Sequence, residues 1–248
     1  MDPVGCPQLE VDPDARMRDQ SAEEQLPRPV VHRQRKDILL FALAAAVCFV
    51  LTRGTIAFFH SPDRGLPYVD RFASSDNAEW SAYGGNWKVE AGSMVNESNE
   101  RGAKLVTGSP YWTNYTVQAD VALRSLGDAG LIARVSDVEQ GVDAYSGIYV
   151  GLRIRDQSLV IGVADHDWGE EFAQPLSSPI VPNTWYHLEA QLDGCIVNAI
   201  VNREDSSEMG RLEATLNNCP VRGKIGLRSY DSGGIWRHIK ATKLAASR

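Results

Sequence analysis

The nine residues YTVQADVAL, from Tyr115 to Leu123, alternate without a break. Tyr115, Val117, Ala119, Val121 and Leu123 fall on one side, and Thr116, Gln118 and Asp120 on the other. A period of two marks a strand with one face in a core, because successive side chains leave a pleated backbone on opposite sides. Working outward, β-rich runs recur at 130–135, 146–154, 159–164, 186–192, 196–201, 212–216, 224–230 and 236–244. Gly, Asn, Asp and Pro separate them, and Asp193-Gly194 reads as a hairpin turn in which glycine takes positive φ. No long amphipathic pattern intervenes. Residues 68–248 are therefore expected to form one all-β domain, a sandwich of two antiparallel sheets.

The chain has 248 residues, a net charge of −7 and 43% hydrophobic content. Mild acidity, with no basic stripe interleaved with aromatics after Phe59, argues against a nucleic-acid partner. Four cysteines without CxxC spacing are too few for a disulfide scaffold and do not suit structural zinc. Five histidines show no metal spacing, and His187 and His238 read as strand-face residues.

Residues 1–37 are polar, proline-containing and poor in aromatics, so they are expected to form a disordered arm. Acids dominate up to Glu24, and Arg28, Arg33, Arg35 and Lys36 come after them. Residues 38–59, ILLFALAAAVCFVLTRGTIAFF, are apolar apart from Arg53. At about 1.5 Å rise per residue, about twenty residues cross a bilayer, so this segment is expected to be a signal-anchor span. Near the far interface the Arg53 guanidinium can snorkel to the headgroups, below the ~2.5–3.5 kcal/mol expected at the bilayer centre. A cleaved signal peptide and a buried soluble helix are the alternatives. The long arm and the lack of an A-x-A site weigh against the signal peptide. The basic flank keeps the arm in the cytoplasm and exports the domain that lies beyond a linker at 60–67. The expectation is a single-pass membrane protein with an extracytoplasmic C-terminal domain.

The chain resembles the concanavalin A-like jelly-roll group in a series of motifs. These are Asp70-Arg71-Phe72, Trp87-Lys-Val-Glu-Ala-Gly92, Gly108-Ser-Pro-Tyr111, Tyr115–Asp120, Ala129-Gly-Leu-Ile-Ala-Arg-Val135, Asn183-Thr-Trp-Tyr-His-Leu188, Asp193-Gly194 and Gly223-Lys-Ile-Gly-Leu-Arg228. Their order and spacing are most similar to the laminin-G-like or 3-keto-disaccharide-hydrolase-like type. The last strand departs from that pattern: Ile235-Trp-Arg-His-Ile239 stands where such domains often carry Phe-Asp before a hydrophobic strand. The resemblance implies carbohydrate or envelope polymer as the partner. The Glu-x-Asp-x-Glu strand of laminarinase-type enzymes is missing after Phe59, which speaks against that glycosidase chemistry. The expected function is thus a lectin-like binding module. A hydrolase or lyase of the 3-keto-disaccharide type is the first alternative, and a protein-binding structural or sensory ectodomain is the second.

Strand alternation offers a sugar site. On 146–154, Ile148, Val150, Leu152 and Ile154 face the core, leaving Tyr149 and Arg153 on the other side, with Tyr145 if the strand extends back to it. Arg134, Gln118 and Asp120 are expected to join them on one sheet face, where rings stack on sugar CH groups and polar groups bond hydroxyls. An ordinary polar sheet face is the competing reading. Asp165-His-Asp-Trp-Gly-Glu-Glu171 reads as an acidic hairpin loop in which Trp168 offers a sugar platform. Asp165, Asp167 and Glu170 are candidate Ca²⁺ ligands there, although the spacing matches no EF-hand loop. No other cofactor is expected. Tracing the strands from the 193–194 turn puts Cys195 and Cys219 at one end of the sandwich, so they form either a disulfide or two surface thiols. Outside the cytoplasm a bridge would persist and would contribute about 3 kcal/mol.

Overall fold

The computed structural model describes residues 65–74 and 78–244. The arm, the apolar segment 38–59 and most of the linker lie outside the described residues. Among those described, no helix is long and apolar enough to cross a membrane.

The strands in chain order are β1 (Tyr68–Asp70), β2 (Ser81–Tyr83), β3 (Trp87–Glu90), β4 (Ser93–Asn96), β5 (Ala103–Thr107), β6 (Tyr115–Leu123), β7 (Asp128–Ser136) and β8 (Ser146–Arg153). They continue with β9 (Ser158–Asp165), β10 (Trp168–Pro175), β11 (Tyr186–Asp193), β12 (Ile196–Arg203), β13 (Glu208–Thr215), β14 (Lys224–Tyr230) and β15 (Gly234–Lys243). One sheet has eight strands in the order β13-β12-β11-β6-β15-β4-β3, with β1 also on β15; the other has seven, in the order β10-β9-β8-β7-β14-β5-β2. Every pairing is antiparallel. The result is an all-β two-sheet sandwich.

The alternation on β6 does what its period demands, since Tyr115, Val117, Ala119, Val121 and Leu123 are all fully buried. They pack with Leu188, Ala190 and Leu192 of β11 against Ile148, Val150 and Leu152 of β8 and Leu159 and Ile161 of β9. Each of the larger aliphatic side chains contributes roughly 1.5–3 kcal/mol on leaving water. Trp236 of β15 bridges the layers, donating its indole N–H to the Gly130 carbonyl at 3.1 Å. Trp185 is only half-buried, and the neighbouring Tyr186 takes the core position at the start of β11.

Residues 165–171 are not all loop, because β10 begins at Trp168 and pairs with β9 along the sheet edge. An edge strand needs little burial on its free side, so WGEEFAQP can be polar and still pair. Its Phe172 packs into the core between the sheets.

The outer face of the seven-stranded sheet is unusual. It carries a second apolar cluster, with Val106, Ile132, Val135, Tyr145, Tyr149, Val160 and Ala164 buried together. Tyr145 comes from the β7–β8 connection, which is anchored where the Lys104 ammonium donates to the Gly141 carbonyl at 2.7 Å.

Candidate functional site

Above that second cluster lies an open cleft of about 280 Å³ lined by residues including Asp128, Asp143, Arg153, Trp168, Glu171 and Arg228. Its aromatic walls are Trp168 and Tyr230, with the Tyr149 ring buried beneath, and two neighbouring glycines make room for Trp168 and Tyr149. A Cβ at Gly151 would fall inside the Tyr149 side chain, and one at Gly162 inside the Trp168 indole. Without those carbons both rings lie along the sheet, 5.9 Å apart and edge to face.

Arg228 is the centre of the site. It is 2% exposed and donates to Asp128 Oδ1 at 3.1 Å and to Asp143 Oδ1 at 2.6 Å. Its guanidinium carbon lies 4.8 Å from the Tyr149 ring centre, 5.2 Å from that of Trp168 and 5.3 Å from that of Tyr230. The Tyr149 hydroxyl donates to Asp128 at 3.2 Å. Burial pushes the Asp128 carboxyl above its ordinary range, and the charge of Arg228 and the Tyr149 hydrogen bond oppose that rise only in part. Burial likewise draws the Lys104 ammonium down to about 8, helped by repulsion from Arg228. The Tyr145 hydroxyl and Arg228 Nε are buried with no hydrogen-bond partner.

The rim is locked in the same way. Arg153 donates to both oxygens of Asp156 and to Glu171 Oε1 at 3.0 Å, while the Trp168 indole N–H donates to Glu171 Oε2 at 2.9 Å. Glu171 therefore fixes an aromatic ring and a guanidinium at once.

Of the candidate site residues, Arg153 and Trp168 line this cleft, while Tyr145 and Tyr149 are buried in the cluster beneath it and offer no surface to a ligand. Arg134, Gln118 and Asp120 lie elsewhere. Gln118 and Asp120 lie on β6 of the other sheet, because consecutive strands β6 and β7 belong to different layers. Alternation tells which side of a strand faces the core; it does not tell which sheet the strand joins. Arg134 is turned away by irregular pairing around it on β7, with its own φ at +51°. Its guanidinium is buried at the sandwich end and donates to the carbonyls of Thr113, Gly194 and Pro220 and to Asn114 Oδ1. It ties three connections together beside the Cys195–Cys219 disulfide, whose Cα atoms are 5.6 Å apart.

Asp165, Asp167 and Glu170 do not converge either. Asp167 accepts the Trp168 backbone N–H at 2.8 Å, and Glu170 accepts from the Asn217 backbone and side chain at 3.0 and 2.7 Å. Among the described residues no group of three or more His, Cys, Asp or Glu side chains is placed to hold a metal ion.

Asp128, Asp143, Arg228 and Tyr230 escape a residue-by-residue reading. The available signal was the alternation of Ile225, Leu227 and Ser229 with Gly226, Arg228 and Tyr230, which puts Arg228 and Tyr230 on one face of the strand. On β7, Asp128 precedes Gly130 by two and so shares its face.

On the opposite sheet Asp120 collects three donors. His187 Nδ1 approaches one oxygen at 2.9 Å, and His238 Nδ1 and Arg237 Nε approach the other at 2.9 and 3.0 Å. Burial works to raise the Asp120 carboxyl, but its bonds to His187, His238 and Arg237 overcome this and hold it well below the usual range. The same hydrogen bond raises His187. A hollow of about 200 Å³ adjoins this group, and the Arg237 guanidinium covers the Trp185 ring at 4.2 Å.

Residues 68–242 match the family described as the 3-keto-alpha-glucoside-1,2-lyase-like domain. No curated protein matches the chain. Among solved structures, the carbohydrate-binding module CBM66 from Bacillus subtilis is similar at 15% identity and a TM-score of 0.53, over 66% of this chain and 96% of that one. The exoplasmic/lumenal domain of VIP36, bound to Ca²⁺ and Man3GlcNAc, is similar at 12% identity and a TM-score of 0.54, over 73% and 92%. A prokaryotic β-1,3-1,4-glucanase (lichenase) derived from a mouse hindgut metagenome is similar at 12% identity and 0.53, over 72% and 99%. At these identities the likeness is one of fold, the jelly-roll sandwich of such modules.

Proposed function

From the premise that this chain belongs to the 3-keto-alpha-glucoside-1,2-lyase-like domain family, we propose that the cleft on the seven-stranded sheet binds carbohydrate and that the domain is a lectin-like recognition module. One observation carries this reading: the Trp168 ring, seated over Gly162, lines a cleft beside guanidinium and carboxylate groups already held in place by one another. A sugar ring offers CH groups to Trp168 and Tyr230 and hydroxyls to Arg153 and Glu171. Because the rim is pre-ordered, little side-chain entropy is lost on binding. Titration calorimetry of the purified chain against a broad glycan panel tests it. Trp168→Ala with Arg153→Ala is expected to weaken the best ligand by more than about tenfold. A flat response across the panel would remove the reading.

A second reading is chemical, and Asp128 favours it. A carboxyl pushed above its ordinary range by burial, lining a cleft, is a candidate for proton transfer. In a 3-keto-glucoside the C3 carbonyl acidifies the C2 hydrogen. A base that takes this proton lets the electron pair form a C1–C2 double bond as the C1 substituent leaves with its own pair, and that substituent is protonated from water. Incubating the protein with a 3-keto-α-glucoside and measuring both products tests this. Wild-type turnover that is lost in Asp128→Asn supports it; absence of turnover retires this reading and leaves binding untouched.

We place the domain on the extracytoplasmic side of a membrane, behind a span at 38–59. The Cys195–Cys219 bridge supports this, since such bonds persist on the oxidising side. So does the basic flank Arg28–Lys36. A reporter fused after Arg248 that is active only in the cytoplasm would overturn the placement.

A further inference from the structure

The cleft is not the only hollow that Trp168 borders. A second, of about 750 Å³, opens at the end of the sheet where β8 begins and β9 ends, and Trp168 lines both. Its far wall is the β13–β14 connection, Asn217 to Pro220. That wall is held from two directions. Cys219 is bonded to Cys195, and the Glu170 carboxylate accepts two hydrogen bonds from Asn217. The larger hollow is therefore a built feature rather than a gap beside a loose loop.

The two hollows differ in charge. Around the first, Arg228 is matched by Asp128 and Asp143, and Arg153 by Asp156 and Glu171. The second is lined by Asp165, Asp167 and Glu170, and among the described residues lining it there is no Lys or Arg. A ligand carboxylate or sulfate there would meet only like charge, whereas hydroxyls and ammonium groups find acceptors.

We propose that the natural ligand is an oligosaccharide of at least three rings that crosses Trp168, with one end in the cleft of the seven-stranded sheet and the rest in the acidic hollow, and that the rings in the acidic hollow are neutral or amino sugars and not uronic acids. The proposal rests on the carbohydrate reading of the cleft and adds length and charge class to it. Trp168 is the shared platform. Its indole N–H is held by Glu171 and its ring rests over Gly162, so the side chain that lines both hollows is fixed in place. Glu170 and Asn217 line the far side, where the lone pairs left over from their mutual hydrogen bonds are acceptors for ring hydroxyls.

The test is an array of glucose-, mannose-, galactose- and glucosamine-based oligomers of one to six units, with matched uronate series, probed with the purified full chain. Affinity is expected to rise at least tenfold from one ring to three and to level off beyond. Neutral or glucosamine oligomers should exceed uronates of equal length by a similar factor. Asp165→Lys should erase most of that charge discrimination for three-ring ligands while the melting temperature stays unchanged. Binding that is independent of length, or that prefers uronates, overturns the proposal and leaves the carbohydrate reading of the cleft standing. No signal anywhere on the array overturns both.

Discussion

On the outer face of the seven-stranded sheet Arg228 is 2% exposed, between Asp128 and Asp143 and against three aromatic rings. On the outer face of the eight-stranded sheet the Asp120 side chain is 17% exposed, and its partners His187 and His238 are 34% and 61% exposed. Both are multi-partner ionic groups on the outside of a sandwich, but water reaches only one of them freely. In the first, the guanidinium at the centre is itself out of water's reach, so solvent replaces its carboxylate partners poorly. In the second, water can take over a lost bond, so the group steadies three neighbouring strands, β11, β6 and β15, without being indispensable. The difference shows why the same residue types make a buried cluster beside a cleft on one face and a surface network on the other.

The largest test of that contrast is Arg228→Met. It leaves two mostly buried carboxylates unpaired, and urea unfolding should show a loss of about 3–5 kcal/mol. A loss under about 1 kcal/mol would mean that the face is as wet as its counterpart. Next is Gly151→Val, which drives a side chain into the space of Tyr149. Overpacking of this kind costs about 1–3 kcal/mol, and sugar binding should fall with it because Tyr149 and Trp168 pack on one another. Gly169→Ala, whose Cβ would meet only the Val163 carbonyl at 3.3 Å, should cost clearly less than Gly151→Val.

Asp120→Asn probes the other face. It keeps the shape and removes the charge, and the expected loss is about 1 kcal/mol, reduced further in high salt. Such salt sensitivity should be absent for Arg228→Met.

The smallest effect is a pH signature. His187 is raised above its ordinary 6.5 by Asp120. Its contribution is therefore fully present below the ordinary value and is lost as pH rises through the raised one. The melting-temperature gap between wild type and His187→Gln should be widest near about pH 5.5 and close by about pH 8.5. A gap that widens toward alkaline pH would contradict the hydrogen bond to Asp120. On the first face the sign is opposite for Lys104: it is drawn down to about 8, so its burial opposes folding less as pH climbs from there toward the ordinary 10.5.

Much of this architecture was legible in the chain itself. Period-two runs at 115–123, 146–154 and 186–192 specify strands and their buried sides, because a pleated backbone allows no other arrangement. The Tyr149–Arg153 pairing on one face came from the same rule. β10 was harder to see, since an edge strand is stabilised by its neighbour rather than by its own apolar residues.

Local pattern alone is enough to make residues 68–244 a β-sandwich with Tyr149 and Arg153 turned away from its core. Which of the outward residues meet is settled by the folded arrangement and by nothing shorter in range. Asp128 and Arg228 are 100 positions apart yet 3.1 Å from each other, while Asp120, eight positions before Asp128, lies on the opposite sheet. Alternation is a local property of one strand. Strand order is set by the pairing of the whole set, and an irregularity of pairing such as the one around Arg134 can re-aim a side chain that the local period assigns to the site.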